Sequence, residues 1–186
     1  VILFGNKKSS FFRVPAKNFD NGISVDSIDK ITLDPASKHI QFVSAAGTLW
    51  WQGYERVLKG ISEYVHANPN SEYSFGFTLI GGDPNELPNF KQLVKDLDID
   101  SLVNCTGFKS GNELYKAYAG ATIGVSTLGC YKRGLTHCSS LKSREFMAMG
   151  LPFIYAYEDP LIENLPFAKK FPNDESIVKM EDIIAF

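Results

Sequence analysis

Ser139-Ser-Leu-Lys-Ser-Arg-Glu-Phe-Met-Ala-Met-Gly-Leu-Pro-Phe-Ile154 reads as a helix followed at once by a buried strand. Ser139 or Ser140 is a good N-cap, residues 141–149 are helix-compatible, Gly150 suits the C-terminal cap and Pro152 blocks continuation. Residues 153–157 are a short apolar run with the character of a buried strand. The charge at the helix start is unusual. A helix N-terminus carries roughly half a positive elementary charge and ordinarily attracts Asp or Glu into its first turn. Here the first turn holds Lys142 and Arg144, with no acid before Glu145. An anion such as a phosphate seated at that end would make sense of the arrangement. The competing reading is a solvated face, with Glu145 paired to Lys142 for about 0.2–0.5 kcal/mol. Against it, Glu145 cannot close a capping box, because Lys142 stands three positions before it. Residues 134–140 are also mostly small and polar, as a backbone-donating loop requires.

Working outward, strand and helix patterns alternate. Residues 40–46, 74–79, 101–106 and 121–126 read as strands, besides the one after Pro152. Between them, residues 54–65, 90–97 and 112–119 carry apolar side chains at helical spacing, and a last helix starts near Val178. This rhythm predicts βαβ units: an α/β fold with a doubly wound, Rossmann-like parallel sheet. Residues 1–34 are irregular and read as an interdomain connecting segment, leaving 35–186 as the domain proper. Ligands of such sheets sit at the carboxyl ends of the strands. The loops concerned are residues 47–53, 81–85, 107–112 and 127–140. None is G-x-G-x-x-G or a P-loop, so dinucleotide redox enzymes and P-loop NTPases lack their fingerprints here.

The 186 residues, 44% hydrophobic, suffice for one packed domain and are marginal for two. A net charge of −2 gives no electrostatic case for nucleic acid. No apolar run approaches the roughly 20 residues of a membrane span, and the start lacks a signal-peptide pattern. Cys105, Cys130 and Cys138 are odd in number and without metal-ligand spacing, so reduced thiols in the cytosol are the simplest account. Beginning at Val1 and ending within a helical pattern, the chain is expected to be the C-terminal part of something longer.

Five motifs carry a resemblance in chain order. They are Asn21-Gly22-Ile23; Trp51-Gln-Gly-Tyr-Glu-Arg56 with Lys59-Gly60; Thr78-Leu79-Ile80-Gly81-Gly82; residues 103–108; and Glu145-Phe-Met-Ala-Met-Gly-Leu-Pro-Phe-Ile154. The last is similar to Glu-Ala-Met-Ala-x-Gly-x-Pro-Val-Ile. The first resembles an Asn-Gly-Val-Asp turn between two halves, and the second the Trp-His-Gly-x-Asp-Arg loop of a bacterial subgroup. The strand ends at Gly82 and Phe108 are similar to Leu-Ile-x-Gly-x-Gly and Val-x-Phe-x-Gly-Phe. Together they resemble the C-terminal, donor-binding half of a GT-B glycosyltransferase of the retaining family 4, or group 1, type.

The resemblance implies a nucleotide sugar as substrate, with transfer of the sugar to an acceptor hydroxyl with retention. It implies no cofactor and no metal, an N-terminal acceptor domain as partner, and a cytoplasmic setting with peripheral membrane contact through that partner left open. Glu145 would hold the ribose hydroxyls. The family's earlier acid, eight positions before, is replaced by His137, a donor-binding candidate as a sugar ligand that reads equally as an exposed loop residue. Its Gly-Phe-Gly is replaced by Cys138-Ser139-Ser140. Gln52 stands where the diphosphate-binding lysine would fall, so Lys142, with Arg56 second, is the candidate catalytic cation. Donor-binding positions are Ser139, Ser140 and Leu141 at the helix start, Gly47 and Thr48 in the first loop, Gly82, Phe108 and Lys109. Lys59 reads as an exposed helix position, Trp50 and Trp51 as packing residues, and adjacent His137 and Cys138 do not make a thiol hydrolase. Two alternatives stay open: a non-catalytic Rossmann-like nucleotide-binding or assembly module, and a nucleotide-sugar epimerase or hydrolase of the same build.

Overall fold

The computed structural model describes residues 2–4, 10–26, 28–47 and 50–186. Six strands form one all-parallel sheet: β1 His39–Ala45, β2 Ser74–Ile80, β3 Val103–Cys105, β4 Ile123–Val125, β5 Phe153–Tyr155 and β6 Ala168–Lys170. Their spatial order is β3-β2-β1-β4-β5-β6, which reverses direction between β1 and β4. Such an order places a crevice at the carboxyl ends of the two central strands. The helices are α1 Tyr54–Ala67, α2 Leu87–Asp96, α3 Gly111–Tyr118, α4 Leu141–Met149 and α5 Met180–Ile184.

Each face of the sheet buries its own apolar cluster. On one side Val57, Leu58 and Ile61 of α1, Phe90 of α2 and Met180 of α5 pack on Phe42, Phe75 and Phe77. On the other, Tyr118 of α3 and Phe146 and Met149 of α4 pack on Val43, Phe153 and Tyr155. The doubly wound architecture expected from the alternation is therefore present, at a removal of roughly 25 cal/mol per Å² of apolar surface buried. Among the described residues no helix is long and apolar enough to cross a membrane.

Some boundaries differ from the sequence expectation. Residues 101–102 belong to a short 3-10 turn, Asp100–Leu102, so β3 is only Val103–Cys105 and pairs on one side at the sheet edge. Strand β6 carries no apolar run; Lys169 and Lys170 sit on the opposite edge, where lysines discourage further pairing. That composition hid it from a search for buried strands. Within residues 1–34, Ile2–Phe4 pairs in parallel with Lys17–Phe19 and Ser10–Phe11 antiparallel with Val14–Pro15, and none of these joins the main sheet.

Candidate nucleotide-sugar site

Helix α4 starts at the crevice. Ser140 occupies the N-cap position but makes no capping bond with its side chain, so the first-turn amides keep their donors for another acceptor. Gly150 closes the helix in the left-handed conformation expected of it, at φ 69°. A cavity of about 440 Å³ opens at this end of the sheet. Ala45, Ala46 and Gly47 line it from the end of β1, and Ile80, Gly81, Gly82 and Asp83 from the end of β2. Phe108, Lys109 and Leu114 contribute from the β3–α3 connection, and Leu141, Lys142 and Glu145 from α4. The floor is knit by backbone bonds across the strand ends: Gly81 N–H donates to the Gly107 carbonyl at 2.8 Å and Gly82 N–H to Ala46 at 3.1 Å.

Lys142 is the buried cation of this cavity, only 8% exposed. Its Nζ donates to Gln52 Oε1 at 2.7 Å, Ser44 Oγ at 3.3 Å and Tyr54 OH at 3.4 Å. All three acceptors are neutral, and among the described residues no salt bridge reaches the amine. Burial pulls its pKa from 10.5 down to about 7. Gln52, which replaces a cation in the resembled motif, is thus the residue that holds this one. Glu145 stands one turn further on the same helix face. Burial raises its carboxyl pKa, while the Tyr118 hydroxyl, donating to Oε2 at 3.4 Å, and the charge of Lys142 act in the opposite sense.

Other expected residues are placed elsewhere. Arg144 adds no free charge to the helix start. Its guanidinium is buried against Asp159 Oδ2 at 2.8 Å and also donates to Asn21 O and Ser139 Oγ. Ser139 is spent on Asn21, its Oγ accepting from Asn21 N–H at 3.0 Å and its carbonyl from Asn21 Nδ2 at 2.6 Å. Arg56 is not a cleft residue: it is 1% exposed and donates to the carbonyls of Ser176 (2.5 Å), Leu128 (2.6 Å) and Pro172 (3.0 Å). It therefore binds the C-terminal segment to α1 and, unlike Lys142, does not line the cavity. His137 does not line the cavity either; its Nε2 lies 2.7 Å from Glu158 Oε2 and its Nδ1 2.8 Å from Thr136 Oγ1. Ser140 stops at the cap, and Thr48 lies outside the described residues.

Sequence reasoning missed Asp83, Leu114, Ser44 and Tyr54 around the cavity, and Glu158 and Asp159 beside the loop before α4. Ser44 and Tyr54 lie 98 and 88 positions from Lys142, and no local pattern announces such partners. Among the described residues no group of three or more His, Cys, Asp or Glu is placed to hold a metal ion.

The fold recurs in solved structures. The fold is that of a glycosyltransferase C-terminal domain. The chain superposes on the C-terminal domain of a glycosyl transferase group 1 family protein (LpcC) from Francisella tularensis with a TM-score of 0.60 at 14% identity, covering 88% of this chain and 85% of that one. It matches sucrose-phosphate synthase from Thermosynechococcus elongatus with a TM-score of 0.69 at 17% identity over 92% of this chain, and Anabaena HepE in complex with UDP with 0.64 at 13% over 92%. It spans 44% and 47% of those two proteins. At such identities the likeness establishes fold. No family model matches the chain, and no curated protein sequence does.

Proposed function

We propose that this chain binds the nucleoside diphosphate part of a sugar nucleotide and forms the donor half of a glycosyltransferase. The observation that carries the reading is the uncompensated Lys142 amine, buried under the open N-terminus of α4 at the strand-end crevice. A diphosphate placed there would meet free amide donors and an ammonium group together. The likeness to HepE, whose structure holds UDP, supports the same class of ligand. Glu145, one turn along and facing the same cavity, is suited to accept hydrogen bonds from two neighbouring ribose hydroxyls.

In glycosyl transfer the bond from the anomeric carbon to the β-phosphate oxygen breaks, and negative charge grows on the departing diphosphate. Lys142 and the α4 amides are preorganised at the place where that charge develops. The acceptor hydroxyl, and the group receiving its proton, lie outside the residues described. Retention of configuration is part of the proposal through the family resemblance alone. Charge neutralisation is assigned to protein groups, so donor binding is expected to survive chelation with EDTA.

Calorimetric titration of the full-length protein with UDP, GDP and ADP sugars tests the reading. Binding of one of them is expected, weakened roughly tenfold or more by Glu145→Ala through loss of charge-assisted hydrogen bonds. Failure of every sugar nucleotide to bind would favour an inert module. Sugar release as fast without acceptor as with one would favour a hydrolase.

A further inference from the structure

Lys142 differs from an ordinary phosphate-binding lysine in one respect: it is buried with neutral hydrogen-bond partners, and among the described residues no salt bridge reaches it. Its three hydrogen-bond acceptors belong to Gln52, Ser44 and Tyr54, and its ammonium also lies 5.4 Å from the centroid of the Tyr54 ring. Cys138, Cys130 and Glu145 favour the charged amine, but the cost of burial outweighs all three. Tyr54 of α1 keeps its proton, because burial pushes its phenol far up. Glu145 of α4 makes no salt bridge with it, and burial raises the carboxyl pKa while the charge of Lys142 lowers it. Cys130, in the 3-10 turn after β4, is raised by its contact with Cys138 and by burial, whereas that contact lowers Cys138. On the cavity walls Asp83 and Lys109 oppose each other in sign, and Arg144 is consumed by Asp159. A buried ammonium without a counter-ion gives up its proton more readily than one in water. A diphosphate placed beside it supplies two formal negative charges and reverses that preference.

We propose that a sugar nucleotide enters this cleft together with one proton, taken up from solvent by the Lys142 amine. The step is R–NH2 plus H+ giving R–NH3+, with no other bond altered. This rests on the reading of the cleft as a diphosphate site and adds a regulatory property to it. Burial lowers the pKa of the amine to about 7, so above that value the binding-competent charged form becomes scarce. Apparent affinity is scaled by the competent fraction, so the dissociation constant should rise about tenfold per pH unit on the alkaline side. Donor use by this protein would then respond to small pH changes around neutrality.

The test is calorimetric titration of the full-length protein with the sugar nucleotide that binds it, near pH 8, in buffers of different ionisation enthalpy. Sugar nucleotides have both phosphates esterified and do not titrate there, so any proton taken up belongs to the protein. Uptake approaching one proton near pH 8 and falling toward zero near pH 6 is expected. Lys142→Arg, always charged, should bind with no uptake and with an affinity that no longer falls with pH. Should arginine not fit, Lys142→Met should remove the uptake together with most of the affinity. Cys138→Ser should leave the uptake intact. Binding without buffer dependence near pH 8, or uptake persisting in both Lys142 variants or vanishing in Cys138→Ser, overturns the inference and leaves the diphosphate site standing. Absence of binding at any pH sinks the site itself and the inference with it.

Discussion

Three cations read from the sequence as candidates for one anion turn out to have three different employments. Lys142 faces the cavity, Arg144 closes a buried ion pair, and Arg56 ties down carbonyls. Their stability consequences differ accordingly. Lys142 is protonated in the unfolded chain up to about 10.5 but in the folded one only up to about 7. Between those values the unfolded state binds more protons, so stability rises with pH across the window; below it the buried charge costs its full desolvation. Lys142→Met should therefore raise the thermal midpoint, by about 4–8 °C near pH 6 for a gain of about 2 kcal/mol, with the gain shrinking toward pH 10. On the proposed reading of the cleft, the same substitution should reduce sugar transfer by the full-length protein by roughly a hundred- to a thousandfold. Scanning calorimetry across pH, set beside initial rates, checks both; a midpoint gain that grows with pH would contradict the first. Arg56→Met should behave oppositely, costing about 1–3 kcal/mol by leaving the buried Leu128 carbonyl unpaired. Urea denaturation would register that loss, while nucleotide affinity of the folded fraction stays unchanged.

Helix α4 is an element with little solvent-facing surface: Lys142, Ser143, Arg144, Phe146 and Met149 are all buried. It needs close seating on the sheet, and Gly124 of β4 provides it. A Cβ on Gly124 would stand 2.7 Å from the Phe146 ring. Gly124→Ala should therefore push α4 outward, costing about 1–3 kcal/mol by overpacking and shifting Lys142 and Glu145 out of register with the strand ends. Gly60 of α1 offers a control on the far face of the sheet, since its Cβ would meet the Val178 carbonyl at 1.9 Å. Both alanine variants should lose stability in denaturant titration, yet only Gly124→Ala should weaken sugar-nucleotide binding in the folded protein. Equal binding losses would mean that α4 is not the element that positions the site.

At the scale of the molecule, the segment before β1 is fastened along α4. Asn21 is bonded to Ser139 at the start of the helix and accepts from Arg144, Ile31 N–H donates to the Met149 carbonyl at its end, and Ile28, Ile31 and Leu33 pack on the same apolar cluster. Whatever precedes the sheet is thereby linked to the helix that opens on the cleft. Asn21→Ala removes a side-chain hydrogen bond near a buried guanidinium, worth about 1–2 kcal/mol. Hydrogen exchange by mass spectrometry should show residues 21–33 exchanging roughly tenfold faster, the converse of about 1.4 kcal/mol of protection. Unchanged exchange would assign the attachment to the apolar contacts alone.

The alternation of apolar runs with helical spacing was enough to specify the parallel doubly wound sheet, because each element advertises its own buried face locally. Strand ends marked by Gly47, Gly82 and Gly107 likewise located the crevice, since topology puts ligands there whatever the side chains. Placing Glu145 and Lys142 together needed only their spacing of three along one helix. Which cation stays uncompensated was not legible. The charge on Arg144 is cancelled by Asp159 and that on Lys142 is surrounded by Gln52, Ser44 and Tyr54, while Arg56 reaches carbonyls more than 70 positions away. A side chain's periodicity tells whether it is buried, but the free energy of a buried charge depends on what stands opposite it. Those opposing groups come from distant elements, and only the folded packing chooses them.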